Sequence, residues 1–156
     1  TYEVRQEFHE LAKQNLERVQ IPPGVVEFKL RDIAAGLDET DADAFFLDVA
    51  EPWNYLGQVA AALRSGGFFA TLIATMNQVI PTVQALEQGP FGLIEVEELL
   101  LRPYKAVSTR VRPADRMVAH TGYLIFARKI VQTPVESALD PHPEDVAAAE
   151  FVPEEE

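Results

Sequence analysis

The sequence predicts an open α/β sheet that is mostly parallel and carries an antiparallel pair of strands at its C-terminal end. Apolar, strand-like runs alternate with amphipathic helical segments in the order β-α-β-β-α-β-α-β-β. Such alternation is typical of a sheet with helices on its faces. The last two strand-like runs have no strong helix between them, so we expect them to pair antiparallel.

The first half of the chain supplies three of the predicted strands. Residues 1–4 ("TYEV") have the composition of a strand end, and residues 4–19 form a helix by their apolar spacing at Phe8, Leu11, Ala12, Leu16 and Val19. "IPPG" breaks that helix before the short strand 25–30. "AFFLD" (44–48) is a continuous apolar run, as expected of a strand covered on both faces.

The second half supplies two helices and three strands. Pro52 suits a first helical turn, and residues 53–64 continue as a helix that "SGG" ends. Residues 68–74 ("FFATLIA") have the pattern of another buried strand, followed by a helix over 76–89. The final two strands are predicted over residues 91–104 and 120–130.

The acidity of the chain is concentrated at one end. The net charge is −12, and residues 134–156 hold eight of the 25 acidic residues with no Lys or Arg. We therefore expect a domain over residues 1–131 and an acidic, mostly disordered tail over 132–156. Residues 102–129 are instead basic, because this segment contains seven Lys and Arg residues and only one Asp. The domain body can thus present a basic surface.

Several function classes lose support from composition alone. The chain has no cysteine, which excludes disulfides and thiolate metal sites and fits a reducing compartment. The three histidines are scattered without metal-ligand spacing, so we expect no metal. No apolar run approaches the ~20 residues needed to span a bilayer, and we expect no membrane partner.

Six segments follow one another in an order that resembles a known enzyme family. They are "YE", "LRDI", "LDVAEPW", "GGFFATLIATMNQV", "EELLLRPYKAVSTRVRP" and "HTGYLIFARK". Together, over roughly residues 1 to 130, they resemble the C-terminal part of the catalytic domain of the tRNA (adenine-58-N1)-methyltransferase family. The resemblance implies a Rossmann-like class I fold, S-adenosyl-L-methionine as cofactor, tRNA as partner, a homotetramer and a cytoplasmic location.

The first sheet strand and the Gly-rich loop of that family have no counterpart in this sequence. We therefore expect the fold to be truncated at its N-terminus, and the chain to be a fragment that is poorly active and binds the cofactor weakly on its own. The loop would supply backbone N–H groups and close approach to the cofactor.

The resemblance implies that Asp48 is the catalytic residue. It follows a buried strand, and ligands of open α/β sheets bind in the crevice at the carboxyl ends of strands. A carboxylate there can accept a hydrogen bond from the adenine amine, and it also belongs to the expected cofactor site. A helix-capping role ahead of Pro52 is the alternative. Glu51 is expected to contact the base or to fix the loop.

Glu3, Asp32 and Ile33 are expected to complete the cofactor site. An acid at the end of the first visible strand commonly bonds ribose hydroxyls, and the alternative for Glu3 is an acid favoured by a helix dipole. The resemblance implies that Asp32 hydrogen-bonds the adenine amine of the cofactor and that Ile33 flanks the adenine ring. An Asx turn is the alternative for Asp32.

Gln78, Arg112 and His120 are expected to bind the substrate. The resemblance places Gln78 near the pocket, although helix capping by its neighbours is an equal alternative. Arg112 is a candidate for gripping the RNA backbone, and His120 either lines the active site or locks the antiparallel strands. Two rival functions stay open: a class I methyltransferase with another substrate, and a non-catalytic partner subunit.

Overall fold

The computed structural model describes residues 1–117 and 120–131. Within these ranges, eight strands and three α-helices follow in the order β1(Tyr2–Glu3), α1(Gln6–Arg18), β2(Lys29–Leu30), β3(Ala42–Leu47), α2(Leu56–Ala62), β4(Leu63–Ile73), α3(Met76–Gln88), β5(Phe91–Glu98), β6(Tyr104–Lys105), β7(Arg112–Pro113) and β8(Tyr123–Lys129). Two 3₁₀ turns, Ile33–Ala35 and Pro52–Asn54, precede β3 and α2. The acidic tail expected over 132–156 lies outside the described residues.

The central sheet is mixed and has the strand order β3-β4-β8-β5. β3 and β4 are parallel, and β8 pairs antiparallel with both β4 and β5. The predicted antiparallel pairing of the last strands is therefore confirmed, and β8 also enters the sheet between its two neighbours. β1 and β2 form a separate parallel pair, and β6 and β7 a small antiparallel hairpin.

Helices α2 and α3 cover one face of the central sheet. Their buried side chains include Leu56, Val59 and Ala60 in α2 and Val79, Thr82 and Leu86 in α3. Alternate side chains of β4 pack against these helices, since neighbouring residues of a strand point to opposite faces of the sheet. The core formed in this way contains Leu47, Leu63, Phe69, Ile73, Phe91 and Ile125 together with the buried apolar side chains of the two helices.

The prediction that the strand over 44–48 is covered on both faces is wrong. β3 is the edge of the four-stranded sheet, and Phe46 is 61% exposed while Leu47 is 3% exposed. β4 shows the same one-sided burial, because Phe69 and Ile73 are buried and Phe68 is 51% exposed. Helices lie against one face only of this sheet in the described part of the chain.

The largest differences from the predicted boundaries concern three segments. The helix over 53–64 ends at Ala62, because Leu63 turns extended and pairs with Ala42, so β4 begins before the "SGG" segment. The strand predicted over 25–30 is reduced to Lys29–Leu30. The strand predicted over 91–104 ends at Glu98, and the chain then enters the hairpin that begins at Tyr104.

Candidate active site

The carboxyl ends of three strands open on one cavity of about 610 Å³. The cavity is lined by Glu3 at the end of β1, by Ile33 beyond β2 and by Asp48 directly after β3. The apolar part of its wall comes from β3, with Phe45, and from Val49, while Tyr2, Arg5 and Glu39 add polar groups. The volume lies within the range of small-molecule sites in proteins. Three of the residues expected from the sequence thus meet at one place.

Asp48 lies directly beyond β3 with its side chain exposed. Among the described residues it has no hydrogen-bond partner, so its carboxylate oxygens are available to a ligand. Asp48 does not cap the following turn, because the N-cap residue of the 3₁₀ turn Pro52–Asn54 is Glu51. Asp48 is therefore placed where its carboxylate can contact a molecule bound in the cavity.

Glu3 is committed in part to its own neighbours. Its Oε1 accepts from the backbone N–H groups of Val4 at 3.0 Å and Arg5 at 2.9 Å, and from Arg5 Nε at 3.2 Å. The backbone N–H of Arg5 and then its guanidinium lower the pKa of Glu3, so the group is a carboxylate. The second oxygen has no partner among the described residues, which leaves it for a ligand hydroxyl.

Asp32 and Glu51 each hold a 3₁₀ turn. The Asp32 carboxylate accepts from the backbone N–H of Ala34 at 2.8 Å and so forms the N-cap of the turn Ile33–Ala35. Glu51 accepts from the side-chain amide of Asn54 at 3.0 Å. Neither acid lines the cavity. Their expected contacts with cofactor and base stay predictions, and the observed bonds give both a local structural role.

Gln78 connects α3 to the loop that carries Asp48. Its side-chain oxygen accepts from the backbone N–H of Thr75 at 3.0 Å and from the Thr75 hydroxyl at 2.9 Å. Its amide nitrogen donates to the carbonyl of Ala50 at 2.8 Å. Both ends of the Gln78 side-chain amide are therefore hydrogen-bonded, its oxygen to the start of α3 and its nitrogen to the loop. This geometry favours support of the loop over contact with a substrate.

Arg112 lies in the β6–β7 hairpin, apart from the cavity lining. Its guanidinium is 3.5 Å from Asp115, which also pairs with Lys105. Two cations share one carboxylate, and Arg102, Arg110 and Arg116 flank them in sequence. The hairpin therefore keeps an excess of positive charge, which suits contact with phosphates more than contact with a base.

His120 bridges two other elements at the same end of the sheet. Its Nδ1 is 2.5 Å from Glu98 Oε1, and its Nε2 is 2.8 Å from the carbonyl oxygen of Ala74. Glu98 ends β5, and Ala74 follows β4. The Glu98 carboxylate, and secondly the Ala74 carbonyl, raise the pKa of His120 above its ordinary value.

An ionic cluster that the sequence interpretation missed closes one side of the cavity. Glu39, a lining residue, accepts from the Tyr2 hydroxyl at 2.5 Å and from Lys29 Nζ at 2.6 Å. Arg31 bonds Asp38 at 2.8 Å beside them. Burial raises the pKa of Glu39, but the Lys29 and Tyr2 hydrogen bonds outweigh it and bring that pKa to about 2. The alternating cations Lys29 and Arg31 were the available signal in the sequence.

Two further observations concern metals and membranes. In residues 1–117 and 120–131, no three His, Asp or Glu side chains gather as metal ligands. Over the same ranges no helix has the length and apolar character that a bilayer crossing requires.

Comparison with known families decides the relationship of the chain. A family described as the GCD14 subunit of the tRNA methyltransferase complex matches residues 1–115. The chain belongs to this family. The match confirms the resemblance indicated by the sequence motifs, and it includes every expected site residue except His120.

Curated relatives of this GCD14-family chain carry names that agree with the match. It is 31% identical over 153 residues to the tRNA (adenine(57)-N(1)/adenine(58)-N(1))-methyltransferase TrmI of Methanocaldococcus jannaschii, with 82% of this chain and 54% of the relative covered. It is 33% identical over 95 residues to the tRNA (adenine(58)-N(1))-methyltransferase TrmI of Thermus thermophilus, with 61% and 37% covered.

Solved structures confirm the Rossmann-like class I methyltransferase fold of the GCD14-family chain. A protein from Thermotoga maritima described as an S-adenosylmethionine-dependent O-methyltransferase has a TM-score of 0.81 and 51% identity, covering 85% of this chain and 50% of that one. The tRNA (m1A58) methyltransferase TrmI of Aquifex aeolicus has a TM-score of 0.76 and 40% identity, with 83% and 52% covered. The chain spans about half the length of these structures.

Proposed function

We propose that this protein methylates N1 of adenine 58 in tRNA with S-adenosyl-L-methionine as methyl donor. One observation carries the proposal: an unpaired carboxylate, Asp48, lies at a strand end in a cavity shared with Glu3 and Ile33. Membership of the GCD14 family and the names of the TrmI relatives support the same reaction.

The cavity suits a cofactor that contains a nucleoside. The unpartnered oxygen of Glu3 can accept hydrogen bonds from ribose hydroxyls, and Ile33 with Val49 offers apolar surface to a flat ring. Asp32 is proposed to bind the ring amine with the carboxylate oxygen that does not cap the turn. When bound, the cofactor supplies an electrophilic sulfonium methyl group.

Asp48 is proposed to orient the target base. N1 of a neutral adenine carries a lone pair and needs no strong base to become a nucleophile. A carboxylate that accepts from the exocyclic N6 amine would hold the ring in line for attack. It would also stabilise the positive charge that develops on the ring as N1 is methylated. Glu51 is proposed to contact the same base beside its bond to Asn54.

The tRNA is proposed to contact the basic hairpin while the base is drawn into the cavity. Enzymes that modify a base must take it out of its stack, and phosphate contacts then fix the position of the RNA. Arg112 and its neighbours supply the positive charge for those contacts. We further propose a homotetramer in the cytoplasm, where tRNA is the available substrate, and a catalytic domain over residues 1–131.

Methylation of a tRNA transcript tests the proposal. The chain, in excess over a transcript with adenine 58, is incubated with methyl-labelled S-adenosylmethionine, and the product is digested to nucleosides. We expect 1-methyladenosine from this transcript and none from one with guanine 58. Asp48→Asn should reduce the yield by about 10²-fold or more without changing the circular dichroism spectrum.

Other results would favour one of the rival functions. A methylated oxygen or another nucleotide would favour a class I enzyme with a different substrate, which would agree with the description of the Thermotoga protein as an O-methyltransferase. Absence of any transfer and of any heat of binding for S-adenosylhomocysteine, even at cofactor concentrations that would saturate a weak site, would favour a non-catalytic subunit. Tight stoichiometric binding would overturn the expectation that this chain holds the cofactor weakly.

A further inference from the structure

His120 occupies a position where both of its ring nitrogens face groups that can only accept hydrogen bonds. Nδ1 lies 2.5 Å from a Glu98 carboxylate oxygen, and Nε2 lies 2.8 Å from the Ala74 carbonyl oxygen. A neutral imidazole has one N–H and can satisfy one of these acceptors. Only the imidazolium form, with two N–H groups, donates to both.

The position of His120 is fixed by the register of β8. Tyr123, three residues later, pairs with Ile73 at the end of β4 and with Glu98 at the end of β5. Because β4 and β5 do not pair with each other, His120 joins two strand ends that are separated by β8. Gly122 allows the chain before β8 to lie close to the end of β4, since a Cβ at this position would lie 2.9 Å from Leu72 Cδ1.

The Ala74 carbonyl leads directly to the loop of Asp48. Ala74 adjoins Thr75, the N-cap residue of α3, and Thr75 is bonded by the side chain of Gln78. The same Gln78 donates to the Ala50 carbonyl at 2.8 Å. A continuous chain of hydrogen bonds and short backbone links therefore runs from His120 to the residue that lies two places after Asp48.

We propose that His120 is a doubly protonated brace that positions the Asp48 loop, and that it does not contact the substrate base. It is a positioning residue, because it acts through Ala74 and Gln78. The brace is a property of the folded chain itself. Its consequence for methyl transfer rests on the proposed function, and loss of the brace would let the carboxylate drift from the geometry that in-line transfer requires.

The groups around His120 are few among the described residues. Glu98 of β5 is the charged partner, and the Ala74 carbonyl is the contact at the end of β4. The Tyr123 ring of β8 lies 4.7 Å from the imidazole, measured between ring centroids. Glu98 therefore favours the protonated form of His120, and neutralising that one side chain should lower the pKa of His120.

Nitrogen NMR of the full labelled chain tests the brace without cofactor or RNA. In the unmodified chain, the titration midpoint of His120 should lie above 6.5, the ordinary value, and both ring nitrogens should be protonated below that midpoint. Glu98→Gln should lower the midpoint, because the charged partner of the imidazolium is lost. Glu97→Gln is the matched control, because Glu97 points to the opposite face of β5, and it should leave the midpoint unchanged.

Coupling to the loop has its own readout. The side-chain amide signal of Gln78 and the backbone N–H signal of Glu51 should shift with the same midpoint as His120, and should follow it in Glu98→Gln. If His120 only packed between the strands, the chemical shifts of those two signals would not change with its titration. A midpoint at or below 6.5, or loop signals that ignore the titration, would overturn the proposal.

Two features of the experiment separate its possible outcomes. If Glu98→Gln does not fold, the titration of the unmodified chain decides both parts, because it needs no variant. A methylation assay that fails even at saturating cofactor would refute the proposed function and leave the NMR result standing, while a failed NMR result would leave the proposed function intact.

Discussion

Replacing Gln78 by alanine should cost the chain about 2 kcal/mol of unfolding free energy. The side chain makes two bonds to Thr75 at the start of α3 and one to the Ala50 carbonyl. Loss of a helix cap costs ~1 kcal/mol, and loss of one further hydrogen bond costs ~1 kcal/mol. The two losses involve different partners, so we expect them to add approximately.

Gln78→Glu separates the two contributions. A glutamate keeps an oxygen for the N–H and hydroxyl of Thr75, and its charge near the helix N-terminus stabilises by about 0.5 kcal/mol. It has no donor for Ala50, so the link to the Asp48 loop is lost. The expected loss is therefore smaller than for alanine, at about 0.5–1 kcal/mol. The order of stability should be glutamine, glutamate, alanine.

Urea unfolding followed by the fluorescence of Trp53, the one tryptophan, measures these differences. Hydrogen exchange then locates them: the Thr75 amide should lose protection only in the alanine variant, and the Glu51 amide should exchange faster in both. Equal stability of the two variants would refute the separate roles. A loss below about 0.5 kcal/mol in Gln78→Ala would show that these hydrogen bonds contribute little.

Three further predictions follow from single contacts. Glu39→Gln should cost about 1 kcal/mol at neutral pH, after allowance for screening of a side chain that is 40% exposed. Because the pKa of Glu39 is lowered from 4.5 to about 2, this contribution should be complete above pH 4.5 and vanish as pH falls through 2; a pH-independent loss would contradict it. Gly122→Ala should destabilise by about 1–3 kcal/mol, because its Cβ would meet the Ile73 carbonyl at 3.1 Å, whereas Gly57→Ala, with open space around it in α2, should stabilise by up to about 1 kcal/mol. Thermal unfolding of the pair checks this, and equal shifts would refute it. Thr71→Val should stabilise by about 1 kcal/mol, since the buried Thr71 hydroxyl has no partner among the described residues; a lower midpoint in urea would contradict that.

Apart from the β6–β7 hairpin, the order of elements could be predicted from the sequence because each element is specified locally. The apolar spacing of α1 and α3, the breaks at "IPPG" and Gly89-Pro90, and the polar residues after each strand all act over a few positions. Asp48 and Glu3 could be identified at strand ends in this way, and Ile33 came from the family resemblance. Glu3 ends β1 and Asp48 directly follows β3, and carboxyl ends of parallel strands open on a common edge.

Pairings between distant residues could not be predicted in this way. The Glu98–His120 contact spans 22 positions, and the bond from Gln78 to Ala50 spans 28. Nothing in the local composition of either partner points to the other, so Gln78 and His120 were assigned to the substrate although their polar atoms already bond the protein. The same holds for Glu39, whose partner Tyr2 is 37 residues away.

By itself the sequence determined the succession of strands and helices and the acid beyond β3, because apolar period and chain-breaking residues act within one element. Only the tertiary structure decided that β8 lies between β4 and β5, that β3 keeps one face open, and which polar groups remain for a ligand. Those outcomes depend on which backbone edges and side chains meet across the chain. A hydrogen-bonding group gains its role from the partner that folding brings to it.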